Sequence, residues 1–138
     1  MTKQKKKILS ILKKTYCRLK CSKIHGVGVF AIREIPKNAG LFAGVARHNC
    51  QKFNPGELKW LPAEVAKMID DFLAMENDGS IFIPSVGIEG LDISFFLNYS
   101  KKPNVGTKDG GLTFFTRRRI KKGEELTSDY RVYDARYK

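Results

Sequence analysis

The chain is poor in cysteine: three residues in 138, Cys17, Cys21 and Cys50. An odd and sparse set excludes a disulfide framework. Cys17 and Cys21 lie four apart, but neither a second pair nor a histidine pair follows, so no structural zinc or other metal site is expected. Long apolar runs are missing as well. Nothing approaches the roughly 20 residues of a membrane span, and Ile8-Leu9-Ser10-Ile11-Leu12 is too short for the core of a signal peptide. These absences predict an intracellular protein, cytoplasmic or bound to chromatin or a nucleoid, with no membrane partner. Acidic residues are absent from the first 33 positions, and Glu34 is the first carboxylate. The turn Gly26-Val27-Gly28 lacks the third glycine and the following helix of a dinucleotide loop, which excludes a Rossmann or phosphate-loop reading.

What remains is enough for one domain with a single buried core. Apolar residues make up 42% and charged residues 29% of the chain, and the net charge is +12. That charge is unevenly spread. Ten Lys or Arg stand in residues 1–33, whereas 56–92 hold eight carboxylates against Lys59 and Lys67. The division is therefore a basic arm over 1–15 and a folded domain over 16–138, with an acidic helical insert at 56–92. The oligomeric state stays open.

Residues 3–14 read as a short basic helix or as an arm that orders on a partner, with Ile8, Leu9, Ile11 and Leu12 at helical spacing. Strands are expected at 18–24 and 29–33 around the glycine turn, and another at 40–47 after the reverse turn Ile35-Pro36-Lys37-Asn38. Residues 60–76 carry Val65, Met68, Ile69, Phe72 and Leu73 on one face and predict a helix, stopped by Asn77-Asp78-Gly79. Short strands are expected at 81–84 and around 93–97. Two more, at 105–108 and 112–119, flank Asp109-Gly110-Gly111, and a last one spans 125–128. The class is mainly β with one inserted helix. The basic run Arg117-Arg118-Arg119 reads as a solvated strand edge.

Three segments go beyond such patterning: His25-Gly26-Val27-Gly28-Val29-Phe30-Ala31, Asn98-Tyr99-Ser100-Lys101-Lys102-Pro103-Asn104 and Glu124-Glu125-Leu126-Thr127-Ser128-Asp129-Tyr130. In this order they resemble the signature motifs of SET-domain protein lysine methyltransferases. The match extends over residues 16–130 and is weakest in the insert. It implies a SET-domain fold of short curved sheets with a knot-like threading of the C-terminal segment. It also implies methyl transfer from S-adenosyl-L-methionine to lysine in a basic protein, such as a histone, a nucleoid protein or a ribosomal protein.

By the same resemblance, His25, Gly26, Val27, Gly28, Asn98 and Tyr99 hold the cofactor, and Tyr130 is catalytic. Tyr99 departs from the family, which usually has histidine there. Ser128 stands where the family often has Phe or Tyr, leaving room for an amine that already carries a methyl. Tyr133 and Tyr137 are placed over the mouth of the substrate channel. The three zinc-binding cysteines that often follow the last motif are absent, so the tail 131–138, the substrate or another subunit must close the site. The acidic insert suits a lysine-rich protein substrate, and the basic arm suits nucleic acid near it. The rival reading is an inactive module of the same fold that binds nucleic acid or a protein partner.

Overall fold

The computed structural model describes residues 1–42 and 49–138. Its elements are short and its sheets small. Strands β1 (Cys17–Cys21), β2 (Val27–Ala31), β9 (Glu125–Ser128) and β6 (Asn98–Tyr99) form a four-stranded sheet in that spatial order. A three-stranded sheet runs β3 (Gly40–Leu41), β8 (Phe114–Thr116), β7 (Val105–Gly106), and β4 (Cys50–Phe53) pairs with β5 (Ile81–Pro84). Three helices accompany them: α1 (Lys3–Lys13), α2 (Pro55–Leu58) and α3 (Ala63–Phe72).

The sheets share one core. Val29 of β2, Leu97, Val105 of β7, Phe114 of β8 and Leu126 of β9 are buried together with Ile35 and Ile120. Ile35 and Ile120 are joined across an isolated antiparallel bridge. A second, smaller cluster lies under α3, where Ile69, Leu73 and Ile81 meet Val65, Ile83 and Phe95. The insert therefore carries its own apolar seat, as the stripe on the expected helix requires.

Several boundaries differ from the pattern in the sequence. The helix expected over 60–76 begins only at Ala63, behind Pro62, and a separate turn of helix precedes it at Pro55–Leu58. It ends at Phe72 because Leu73 turns extended and leads into a bridge between Met75 and Ile81. The strand expected around 93–97 is a 3-10 turn, Ile93–Phe96. Its cause is Asp92, whose carboxylate accepts from the Ser94 amide at 2.7 Å and caps the turn. Strand β4 had no signal in the sequence and exists by pairing with β5 over four residue pairs. Of the strand expected at 40–47, Gly40–Leu41 is seen, and 43–47 lie outside the described residues. The hairpin around Asp109 is present but shorter. Asp109 takes the amides of Leu112 and Thr113 and the Thr107 hydroxyl, which turns 107–113 into a closed loop. The arm is a helix, with the Thr2 hydroxyl accepting from the Lys5 amide at its start. The run at 117–119 is exposed, with Arg118 paired to Glu124 and Arg119 to Glu34. Among the described residues, no helix is long and apolar enough to cross a membrane.

Candidate active site

All three motifs meet on β9. This strand runs antiparallel to β2, with Val29 opposite Leu126 and Phe30 opposite Glu125. On its other edge it runs parallel to β6, with Asn98 opposite Thr127 and Tyr99 opposite Ser128. Asn104 fixes this register from the next turn: it accepts from the Thr127 amide at 2.8 Å and donates to the Glu125 carbonyl at 2.9 Å.

At the centre of the junction is the Glu125 carboxylate. It accepts from the Asn98 amide at 2.8 Å and from the Ser22 hydroxyl at 2.8 Å. Ser22 in turn accepts from the amides of Ile24 and His25, which shapes the chain entering the glycine turn. Gly26 has φ +47, a conformation that side chains disfavour. Gly28 is required for a different reason: a β-carbon there would collide with the Glu125 carboxylate and sit 3.1 Å from the Asn98 amide nitrogen. Asn98 also donates to the carbonyls of His25 at 3.0 Å and Val27 at 3.4 Å. His25, Gly26, Val27, Gly28 and Asn98 thus form one cluster. His25 joins it through its main chain, with its side chain exposed.

Tyr99 leads from this cluster into a group of rings. Its centroid lies 5.4 Å from that of Tyr130 and 6.0 Å, stacked, from that of Tyr137. Tyr130 also meets Tyr133 at 6.0 Å and Tyr137 at 5.3 Å. The Tyr130 hydroxyl donates to the Leu97 carbonyl. Burial, reinforced by the nearby Tyr137 phenol and the carboxylates of Asp134 and Glu125, pushes the Tyr130 phenol up to about 12. Burial raises the Tyr133 phenol too, despite its hydrogen bond with Ser128. Both phenols are therefore neutral donors at physiological pH.

Tyr130, Tyr133 and Tyr137 line a cavity of about 140 Å³ whose other walls include Leu97, Phe114 and, from the insert, Phe72 and Leu73. Asp70, Asp71 and Asp134 stand around it. Tyr130, Tyr133 and Tyr137 are thus brought together. Ser128 does not line that cavity: it faces a second one, of about 350 Å³, beside Pro103, Val105 and Arg117, whose wall it shares with Tyr133. Its hydroxyl is 2.7 Å from that of Tyr133. The room expected above a small residue at 128 is thus filled by a ring from the tail.

The tail is strapped to the insert. Arg136 reaches the end of α3, donating to the Asp70 carbonyl at 3.0 Å and the Leu73 carbonyl at 2.5 Å. Those are unpaired carbonyls at the negative end of a helix, where a guanidinium is favoured. The same guanidinium holds the buried Asp134 carboxylate at 2.9 Å. Asp134 also accepts from the Met75 amide, and the Ala135 amide donates to the Met75 carbonyl. Since Tyr133 and Tyr137 flank this strap in sequence, fixing it fixes both rings.

Sequence reasoning missed Glu125, the Leu97 carbonyl and the Asp134–Arg136 strap as parts of the site. Glu125 did carry a signal, a lone carboxylate inside a strand whose neighbour Leu126 is core. The strap carried none, because its partners are main-chain carbonyls at a helix end that patterning put elsewhere.

The SET-domain family profile matches residues 26–131, most of the chain and the stretch from the glycine turn to just past Tyr130. The chain belongs to the SET-domain family. Among solved structures it is similar to a Plasmodium falciparum protein described as a candidate histone methyltransferase, at TM-score 0.55 and 19% identity, over 85% of this chain and 94% of that one. It is also similar to a humanized mutant of the Chaetomium thermophilum Polycomb Repressive Complex 2 bound to an inhibitor. There the TM-score is 0.59 and the identity 18%, over 87% of this chain and 15% of that one. At these identities the likeness is one of fold. No curated relative matches the sequence.

Two outcomes follow from the geometry. Arg136→Ala leaves the buried Asp134 carboxylate without its cation, so unfolding free energy in a denaturant titration should drop by about 3 kcal/mol. Adding Asp134→Ala should recover part of that loss; strict additivity of the two substitutions would show that they do not act as a pair. The raised Tyr130 phenol makes the folded state hold a proton that the unfolded state releases above its ordinary value of 10. Its contribution to stability is complete below pH 10 and is lost as pH rises toward about 12. Tyr130→Phe should flatten the alkaline fall in stability, and an unchanged slope would place the phenol in a normal environment.

Proposed function

We propose that this chain transfers a methyl group from S-adenosyl-L-methionine to the side-chain amine of lysine in a basic protein. The observation that carries the reading is the convergence of Asn98, the glycine turn and Tyr130 on a single strand, with an aromatic cavity directly beside them. The family membership supports it, as does the likeness in fold to a protein described as a candidate histone methyltransferase.

The residues present fit such a cofactor. A carboxylate and an amide, Glu125 and Asn98, lie against the main chain of Gly28 with no side chain between, an environment suited to an ammonium group. Tyr99 and Tyr137 offer ring faces beside it, suited to a planar heterocycle. When bound there, the cofactor would supply an electrophilic methyl on a sulfonium. The protein's part is to deliver a neutral amine in line with it. Deprotonating a lysine at pH 7 costs about 4–5 kcal/mol. A cavity walled by Tyr130, Tyr133, Phe114 and Phe72 raises the cost of the charged form and offsets part of it. Tyr130, neutral and anchored on the Leu97 carbonyl, orients the amine. The carboxylates of Asp70, Asp71 and Asp134 around the cavity favour a target lysine with basic neighbours, hence a histone, nucleoid or ribosomal protein. Nucleic acid is the partner we assign to the lysine face of α1, where Lys3, Lys6, Lys7 and Lys13 lie on one side of the helix.

Incubation with labelled S-adenosyl-L-methionine and a panel of basic proteins tests the reading. Label should appear on lysine, and Tyr130→Phe should cut the rate by a factor of about 10² while cofactor affinity stays near that of the parent. Asn98→Ala should instead weaken cofactor binding by about 1–3 kcal/mol in calorimetry. A protein that binds no cofactor and labels nothing would be the inactive module.

A further inference from the structure

The outer face of the four-stranded sheet carries a cation with no acid to hold it. Side chains alternate along β1, so Cys17, Leu19 and Cys21 share one side and Arg18 and Lys20 the other. Register fixes which side is which. Cys17 lies opposite Ala31 and Leu19 opposite Val29, and Cys17, Val29 and Ala31 are buried in the core. Arg18 and Lys20 therefore point outward, Arg18 facing Phe30 and Lys20 facing Gly28 across the ladder. On its other edge Phe30 lies opposite Glu125. Lys20, Gly28 and Glu125 thus stand on the one face where the glycine-turn cluster is built.

Directly opposite residues hold their β-carbons about 5 Å apart, and the Glu125 carboxylate rests where a β-carbon of Gly28 would be. It is within reach of a lysine side chain rooted at position 20. Yet among the described residues Lys20 joins no ion pair. The residue is exposed, and its ammonium lies over the Phe30 ring, 5.4 Å from the centroid. The cause is on the acid: both Glu125 oxygens accept from Ser22, and one also accepts from Asn98. Neutral donors satisfy the carboxylate and leave the neighbouring cation uncommitted.

Such a face suits an amino-acid head group, which carries an ammonium and a carboxylate on one carbon. An ammonium set against Glu125 and Asn98 brings its own carboxylate close to Glu125, a like charge that repels unless a cation stands by. A polyphosphate or nucleic acid would use Lys20 but be repelled by Glu125. We propose that Lys20 leaves the Phe30 ring to bind the α-carboxylate of S-adenosyl-L-methionine, so that Glu125, Asn98 and Lys20 together read the amino-acid end of the cofactor as a zwitterion. A cation resting on an exposed phenyl ring is held loosely, so the move costs little. The proposal rests on the reading that the chain takes this cofactor, and it adds a residue outside the three motifs.

Calorimetry with two ligands tests it. S-adenosyl-L-homocysteine has the amino-acid head, whereas 5′-methylthioadenosine has the same nucleoside without it. Lys20→Met keeps an apolar stem over Phe30 and removes the charge. It should weaken S-adenosyl-L-homocysteine binding by a factor of about 10 and leave methylthioadenosine binding as in the parent. Lys20→Arg should restore the affinity. Arg18→Met removes the same charge from the same face further from Gly28, and should change either affinity by less than a factor of about 2. Added salt should erode the parent's preference for the homocysteine ligand more than that of Lys20→Met. If Lys20→Met weakens both ligands equally, or neither, the proposal is overturned and the cofactor reading stands. A parent that binds neither ligand overturns both.

Discussion

The Glu125 carboxylate is the joint on which the site depends. It sits inside a strand, where a charged side chain is costly unless every oxygen finds a donor. Here the donors come from two distant parts of the chain, Ser22 before the glycine turn and Asn98 after the 3-10 turn at 93–96. The carboxylate therefore selects the arrangement in which all three segments are present, and Gly28 leaves it the space to do so. Replacing that glycine by any other residue displaces the joint itself, not merely a loop.

From this joint the rest of the site is built outward by the two edges of β9. The antiparallel edge brings the glycine turn, and the parallel edge brings Asn98 and Tyr99. Beyond its end, the chain turns through Tyr130, whose hydroxyl returns to Leu97, the residue just ahead of Asn98. The glycine-turn cluster and the ring cavity are thus separated by a single strand. The strap from Asp134 to Arg136 then ties the cavity to the insert, joining the acidic wall to the aromatic wall.

The sequence made the strand-rich fold and the helix of the insert legible through local chemistry, alternation and helical period, whereas Asn98 and the glycine turn were marked as partners by the motifs that resemble the SET-domain family. It made the end of α3 and the turn at 93–96 less legible, because each is set by a specific partner, Met75 bridging Ile81 and Asp92 capping Ser94. Ser128 shows the limit most clearly. Its small size in the sequence implies open space, whereas the fold brings Tyr133 onto its hydroxyl from five residues on.

The bond between Ser22 and Glu125 spans 103 residues of chain. Contacts of such separation form late, since the entropy of closing the loop must be met before they stabilise anything. The glycine turn and its hairpin can form early by local pairing, but the carboxylate that completes them lies 103 residues further along the chain. The cluster of Glu125, Asn98 and the glycine turn is therefore completed late in folding, when β9 arrives between its two neighbours.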